Sequence, residues 1–182
     1  SYPERFANEN NFLPFLKDDA KIYLDKINKL VNDDSVLRTI DKMPSNYKYI
    51  GYIFLMFPNA KVINTQRNPI DTCLSIFFQN FNSGHRYSFD LNNLVFWYQE
   101  YVRLMEYWRT LFDERMLIVD YDSVVSDTEN ITKKIIKFCD LSWEEQCLSF
   151  YESERTVATA SNWQVRQPIY KTSQEKWRNY AN

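Results

Sequence analysis

KVINTQRNPIDTCLSIFFQNF, residues Lys61 to Phe81, is an apolar run closed by a cation, then a tight turn, then a helix. Val62 and Ile63 begin a strand that ends at Arg67, Asn68-Pro69 turns the chain, and a helix is predicted over Pro69 to Phe81. Pro69 suits a first helical turn, because its missing N–H would have no intrahelical partner there. In parallel-sheet proteins the ligand sits beyond the carboxyl ends of the strands, where helix N-termini offer free N–H groups. Arg67 stands at such an end and Ser75 lies further along the helix, so a guanidinium fork and a hydroxyl can converge on one anion. The competing reading is an ordinary buried strand–helix unit whose arginine makes a structural ion pair.

The chain has 182 residues, enough for a single domain with a real core. Aromatics at 17% are high and charged residues at 25% ordinary, which is a globular composition and not a disordered one. Gly51 and Gly84 are the only glycines, so the sequence contains no glycine-rich phosphate loop. A formal charge of −2 argues against a general nucleic-acid role. From Arg155 to Asn182, however, five cations face one anion, a +4 tail on a −6 body. Such a tail suggests a local anion site or a docking strip. Cys73, Cys139 and Cys147 are odd in number and follow no metal spacing. They are expected to be reduced, two of them buried, in a cytoplasmic compartment. No run approaches membrane-spanning length, and the first residues are not a signal peptide. The opening SYPERFANEN lacks an initiator methionine, so a longer parent protein is expected.

Taken in order, Ser1 to Asn11 is polar loop and Phe12 to Val31 an amphipathic helix, with Phe15, Leu16, Ala20, Tyr23, Leu24, Ile27 and Leu30 at spacings of three and four. Val36 to Ile40 is a short strand candidate, and Tyr47 to Phe57 a second helix broken by Pro58-Asn59. Asn82 to Asp90 is a polar loop with the only histidine, His85. Leu91 to Phe112 is the clearest helix, its stripe running through Leu94, Tyr98, Tyr101, Met105, Trp108 and Phe112. MLIVDY, Met116 to Tyr121, is a continuous apolar run expected of a strand covered on both faces. Asp127 or Thr128 caps a helix over Glu129 to Phe138; further turns are expected over Trp143 to Tyr151 and Ser173 to Tyr180. Alternating strands and helices predict an α/β fold, a parallel sheet with flanking helices in three layers.

Three predicted strand ends carry polar groups: Lys42, Arg67 and Tyr121. In one parallel sheet all three share an edge, and two cations with a phenol make a phosphate or sulfate site. Individually they have plainer readings, a solvated loop lysine and a core tyrosine among them. The tail adds Ser161, Gln164, Arg166 and Lys176, a set suited to a loop folding over an anion, or to a basic surface strip. One histidine and scattered cysteines make no usual zinc site, and no Ser-His-Asp or Cys-His pairing stands out.

Four blocks in order carry a resemblance: DKMPSNY (Asp41 to Tyr47), FPNAKVINTQRNPIDTCLSIFFQNF (Phe57 to Phe81), VDYDSVV (Val119 to Val125) and TASNWQVRQPIYKTSQEKWRNYA (Thr159 to Ala181). The chain resembles the sulfotransferases, in particular the bacterial group often attached to tetratricopeptide repeats and related to protein-tyrosine sulfotransferases. The resemblance implies a P-loop nucleotide-binding-like fold and transfer of a sulfuryl group from 3′-phosphoadenosine 5′-phosphosulfate to a hydroxyl or amine, without metal. It implies that Arg67 and Ser75 hold the 3′-phosphate and that Lys42 contacts the transferring group. It also implies Tyr121 near the nucleotide, Ser161 positioning the transferring group, and Lys176 binding the cosubstrate. Gln164 and Arg166 lie in the same final block, and Arg166 is taken as a further cosubstrate contact.

The departures are specific. The family's first strand, phosphate-binding loop and helix are not in this sequence, and are expected upstream with the acidic base and a possible repeat domain. Where cytosolic sulfotransferases place a basic histidine two residues after the lysine, this chain has Pro44. The chain thus carries the 3′-phosphate half of a site, for a tyrosine, glycan or small-molecule acceptor. The alternatives are a non-catalytic module of the same fold, binding a nucleotide or a protein, and a kinase, for which no magnesium signature is present.

Overall fold

The computed structural model describes residues 9–33, 35–79, 81, 85–152, 166–169 and 174–180. The chain divides into two compact units, Ser1–Lys61 and Val62–Asn182. The fold is mixed α/β, mostly helical, with a small parallel sheet.

The first unit is built on α1 (Glu9–Val31) and α2 (Ile50–Met56). Helix α1 starts three residues before the expected Phe12, so Pro14 falls inside it. Leu16 on α1 and Ile50 and Phe54 on α2 are buried, whereas Phe15, Leu24 and Leu30 of the expected α1 stripe are exposed. Two tyrosines tie polar groups into this unit: Tyr52 donates to Asp19, and Tyr23 donates to Asp41 at 2.9 Å. The Tyr23 ring also lies 5.2 Å from that of Phe57.

In this unit one expectation fails and another is corrected in its bounds. Residues 36–40 form no strand, and Leu37 and Ile40 are 81% and 89% exposed. A strand needs a neighbour's backbone ladder and a face to pack on; the regular elements described here are all helical, so there is no edge to join. The helix expected over 47–57 is instead a 3₁₀ turn, Pro44–Tyr49, followed by α2. Pro44 opens that turn, and Tyr49, with φ −119° and ψ 11°, interrupts the helical path before Ile50. Pro58 then biases Phe57 away from helical geometry, and its φ of −127° and ψ of 85° end α2.

The second unit holds the sheet. Strand β1 (Val62–Gln66) pairs in parallel with β2 (Met116–Asp120), Val62 opposite Met116 and Gln66 opposite Asp120. Among the described residues the sheet has these two strands. A parallel pair needs a long crossover, and here it is α3 (Pro69–Phe78), a 3₁₀ turn at Arg86–Phe89, and α4 (Leu91–Phe112). Asp90 caps α4 by accepting the Asn93 N–H at 2.8 Å. The α4 stripe buries Leu94 and Met105, while Tyr101 donates to Asn64 Oδ1 on β1 at 2.8 Å. Burial holds the Tyr101 phenol above its ordinary value, partly offset by that bond.

After β2 comes a helix that was not expected, α5 (Tyr121–Ser126), and then α6 (Thr128–Phe138). Asp120 starts α5 by accepting from both the N–H and the hydroxyl of Ser123 at 2.8 Å. The residues at 145–152 form a 3₁₀ stretch, and Lys176–Tyr180 a 3₁₀ turn. All three cysteines are half-buried, where two were expected to be buried, and burial pushes the Cys73 thiol up. No helix among the described residues is long and apolar enough to cross a membrane.

Burial first, then the hydrogen bond and charge of Asp41, push the Tyr23 phenol up to about 12. Unfolded, it titrates at about 10. The tie to Asp41 therefore contributes fully below pH 10 and is lost as pH rises through about 12. Urea unfolding at stepped pH should show wild type losing stability faster than Tyr23→Phe across this window; equal slopes would remove Tyr23 from the account.

Candidate functional site

The site is assembled at the carboxyl edge of the sheet. Gln66 and Asp120 are paired, so the next residues, Arg67 and Tyr121, leave the two strands side by side. The Arg67 guanidinium carbon lies 5.4 Å from the centre of the Tyr121 ring, a cation–π arrangement. Tyr121 is the first residue of α5, so its backbone leaves the sheet there and its ring is presented at the rim.

The turn after Arg67 is set by Asn68. Its side-chain oxygen accepts the N–H groups of Ile70 at 2.9 Å and Asp71 at 3.2 Å, and its carbonyl accepts the Thr72 N–H and hydroxyl at 2.9 Å. With Pro69 in the first helical turn, this is a complete N-terminal cap. It also corrects one expectation: the first amides of α3 are occupied by the protein's own cap and do not form an open anion cradle.

Asp71 is the residue that sequence reading missed. Its side chain is 1% exposed and faces Arg67, whose Nη2 lies 3.4 Å from Oδ2. Its other oxygen accepts the backbone N–H of Trp177 at 2.9 Å, across 106 positions of sequence. The spacing Arg-Asn-Pro-x-Asp offered one signal, an acid in the first turn of a helix where the dipole favours it. Nothing local pointed to Trp177. The arginine thus makes the structural ion pair set out as the competing reading, and stands at the strand end at the same time.

The other expected residues are placed as follows. Ser75 is exposed on α3, one turn beyond Asp71 on the same face. Lys176 is exposed and opens the 3₁₀ turn that Asp71 holds through Trp177. Arg166 is exposed in the short segment 166–169. Lys42 is exposed in the irregular stretch before Pro44; it belongs to the first unit, and follows no strand. Ser161 and Gln164 lie outside the described residues. His85 is engaged in an aromatic cluster, its ring 4.8 Å from that of Phe81 and its Nδ1 3.2 Å from the Tyr87 hydroxyl. Among the described residues no three or more His, Cys, Asp or Glu side chains are grouped to hold a metal ion.

Replacing Asn68 by Ala should lower stability by about 1 kcal/mol, because two α3 amides lose their acceptor while the strand end keeps its arginine. Urea denaturation should show a lower midpoint at unchanged slope. An unchanged midpoint would mean water serves those amides as well.

The model of the sulfotransferase family matches residues 2–145. The match reaches further upstream than the block at Asp41 to Tyr47 and stops before the one at Thr159 to Ala181. An uncharacterised protein of Aquifex aeolicus (strain VF5) is 40% identical over 168 residues, covering 91% of this chain and 22% of the relative. The protein-tyrosine sulfotransferase of Drosophila melanogaster is 26% identical over 151 residues, covering 77% of this chain and 30% of the relative. The chain therefore spans less than a third of the length of either relative. With the family model matching well over half of its residues, this chain belongs to the sulfotransferase family.

Proposed function

We propose that this chain carries the 3′-phosphate-binding part of an enzyme that moves a sulfuryl group from 3′-phosphoadenosine 5′-phosphosulfate to a hydroxyl acceptor. The observation that supports it is the pairing of Arg67 and Tyr121 at adjacent parallel strand ends, in a chain of this family. Arg67 and Ser75 are assigned to the 3′-phosphate, Tyr121 to the nucleotide's surroundings, and Lys176 and Arg166 to the cosubstrate from the closing segment. Lys42 and Ser161 are assigned to the transferring group. The donor chemistry suits the ligand: guanidinium, ammonium and hydroxyl groups, all able to donate to phosphate or sulfate oxygens.

Sulfuryl transfer resembles phosphoryl transfer. Charge spreads over peripheral oxygens and builds on the leaving phosphate in an in-line displacement. The protein's work is to position the partners and stabilise that charge. The P-loop-like fold, the phosphate-gripping loop, the general base and an upstream repeat domain are assigned to the longer protein. The acceptor class is a tyrosine, glycan or small-molecule hydroxyl. The relative named for tyrosine sulfation favours the first. The free, half-buried cysteines suit a reducing, cytoplasmic setting.

A second reading is kept alive by the Arg67–Asp71 ion pair, which is what a non-catalytic descendant of the fold would also retain. Calorimetry separates the two. The sulfotransferase reading expects adenosine 3′,5′-bisphosphate to bind more tightly than AMP. It expects Arg67→Ala to weaken the bisphosphate about ten- to a hundredfold and to leave AMP unchanged. AMP binding as tightly as the bisphosphate would end the assignment of Arg67 and Ser75. In the full-length enzyme, Lys42→Ala should lower turnover about a hundredfold or more; turnover within twofold of wild type would remove Lys42 from the transfer step.

A further inference from the structure

We propose that Asp71 is a positioning residue that docks the Lys176–Tyr180 turn along the face of α3 carrying Ser75, and so delivers Lys176 to the anion held by Arg67. The inference rests on the reading of this rim as a 3′-phosphate site, and adds to it a residue and a mechanism.

Three observations carry it. Asp71 divides its two oxygens between the two parts of the site: one faces Arg67 at 3.4 Å, the other takes the Trp177 N–H at 2.9 Å. A second tether lies further along α3, where the Phe78 ring meets that of Tyr180 at 5.3 Å. Residues 71, 75 and 78 are spaced four and three apart, so they share one helical face. The turn is thus pinned at both ends of a stripe whose middle position is Ser75.

The turn also carries internal contacts of its own. Glu175 takes a left-handed φ of 52°, and Arg178 pairs back to it at 2.7 Å. The Trp177 indole Nε1 is enclosed with no partner among the described residues. The ring therefore contributes packing, and the polar tie to α3 runs through the backbone amide. A carboxylate acceptor makes such a bond about twice as strong as a neutral one. The bond also fixes the backbone of the residue next to Lys176 against Asp71.

The test is a double-mutant cycle on this chain, read as affinity for adenosine 3′,5′-bisphosphate by calorimetry. Lys176→Ala alone should weaken binding about tenfold, Asp71→Ala by at least as much because Arg67 also loses its orienting carboxylate, and Lys176→Ala should add nothing in the Asp71→Ala background. Asp71→Asn keeps an acceptor oxygen, so the Lys176 effect should survive in that background. If Asp71→Ala does not fold, Trp177→Pro removes the donor from the other side, and the Lys176 effect should vanish there too. A full tenfold Lys176 effect in a folded variant lacking the bond would overturn the proposal, as would a Lys176→Ala change with no effect in wild type. A wild-type chain that binds AMP as tightly as the bisphosphate would instead overturn the site reading itself.

Discussion

A carboxylate with 1% of its side chain exposed is tolerated only if its surroundings replace the water it has lost. Asp71 meets that constraint in part, through three groups of different origin: Oδ1 accepts a hydrogen bond, while Oδ2 faces a guanidinium at 3.4 Å with no hydrogen bond among the described residues. The Arg67 guanidinium comes from a strand end, the Trp177 amide from the far end of the chain, and the first turn of α3 adds the favourable end of its dipole. Breaking a buried pair from one side is far more costly than never forming it, because the remaining charge is stranded. The three elements that meet at the rim are therefore linked through one residue. A change in any of them is felt by the others.

The sheet beneath serves this arrangement by register. Two parallel strands bury little by themselves, and a parallel sheet is stable only when covered by helices. Here α4 supplies cover, with its Leu94 and Met105 stripe and a hydrogen bond from Tyr101 to Asn64 in the middle of β1. Since Gln66 faces Asp120, the two residues that follow are neighbours without any side-chain contact being needed to bring them together. Asp120 then ends β2 by capping α5, which turns the chain at once and leaves the Tyr121 ring beside the guanidinium.

Much of this was legible, and the gaps have physical causes. The strand, turn and helix after Lys61 follow from apolar residues, Asn-Pro and an amphipathic run, all local signals. So does α4, where the stripe is long enough to be unambiguous. Residues 36–40 have β-branched composition, but a strand is a property of its neighbours, and none is described beside it. Helix α5 was overlooked because Asp-Tyr-Asp-Ser reads as the tail of an apolar run. Its cap is a single aspartate accepting twice from one serine. Asp71 was missed for the opposite reason: its first-turn position was visible, but its partner lies 106 residues away and leaves no periodic trace. Lys42 was placed on the rim only through the strand that did not form. With residues 36–40 irregular, the assignment proposed for Lys42 rests on the family block alone.

The cap at Asn68 also decides what kind of anion site this rim can be. A helix N-terminus offers amides to a phosphate only when they are unoccupied. In α3 two of them are filled by Asn68, and the scarcity of glycine elsewhere removes the usual alternative of a backbone loop. Recognition must then come from side chains, which are mobile unless something holds them. A guanidinium is a planar fork whose value lies in its orientation. Arg67 has that orientation set from two sides, by the carboxylate of Asp71 and by the ring of Tyr121. Ordering carried out during folding need not be repeated when the ligand binds, and that is where preorganised sites gain affinity. The ion pair with Asp71 is therefore compatible with the ligand-binding role proposed for Arg67, since it orients the fork that such a role requires.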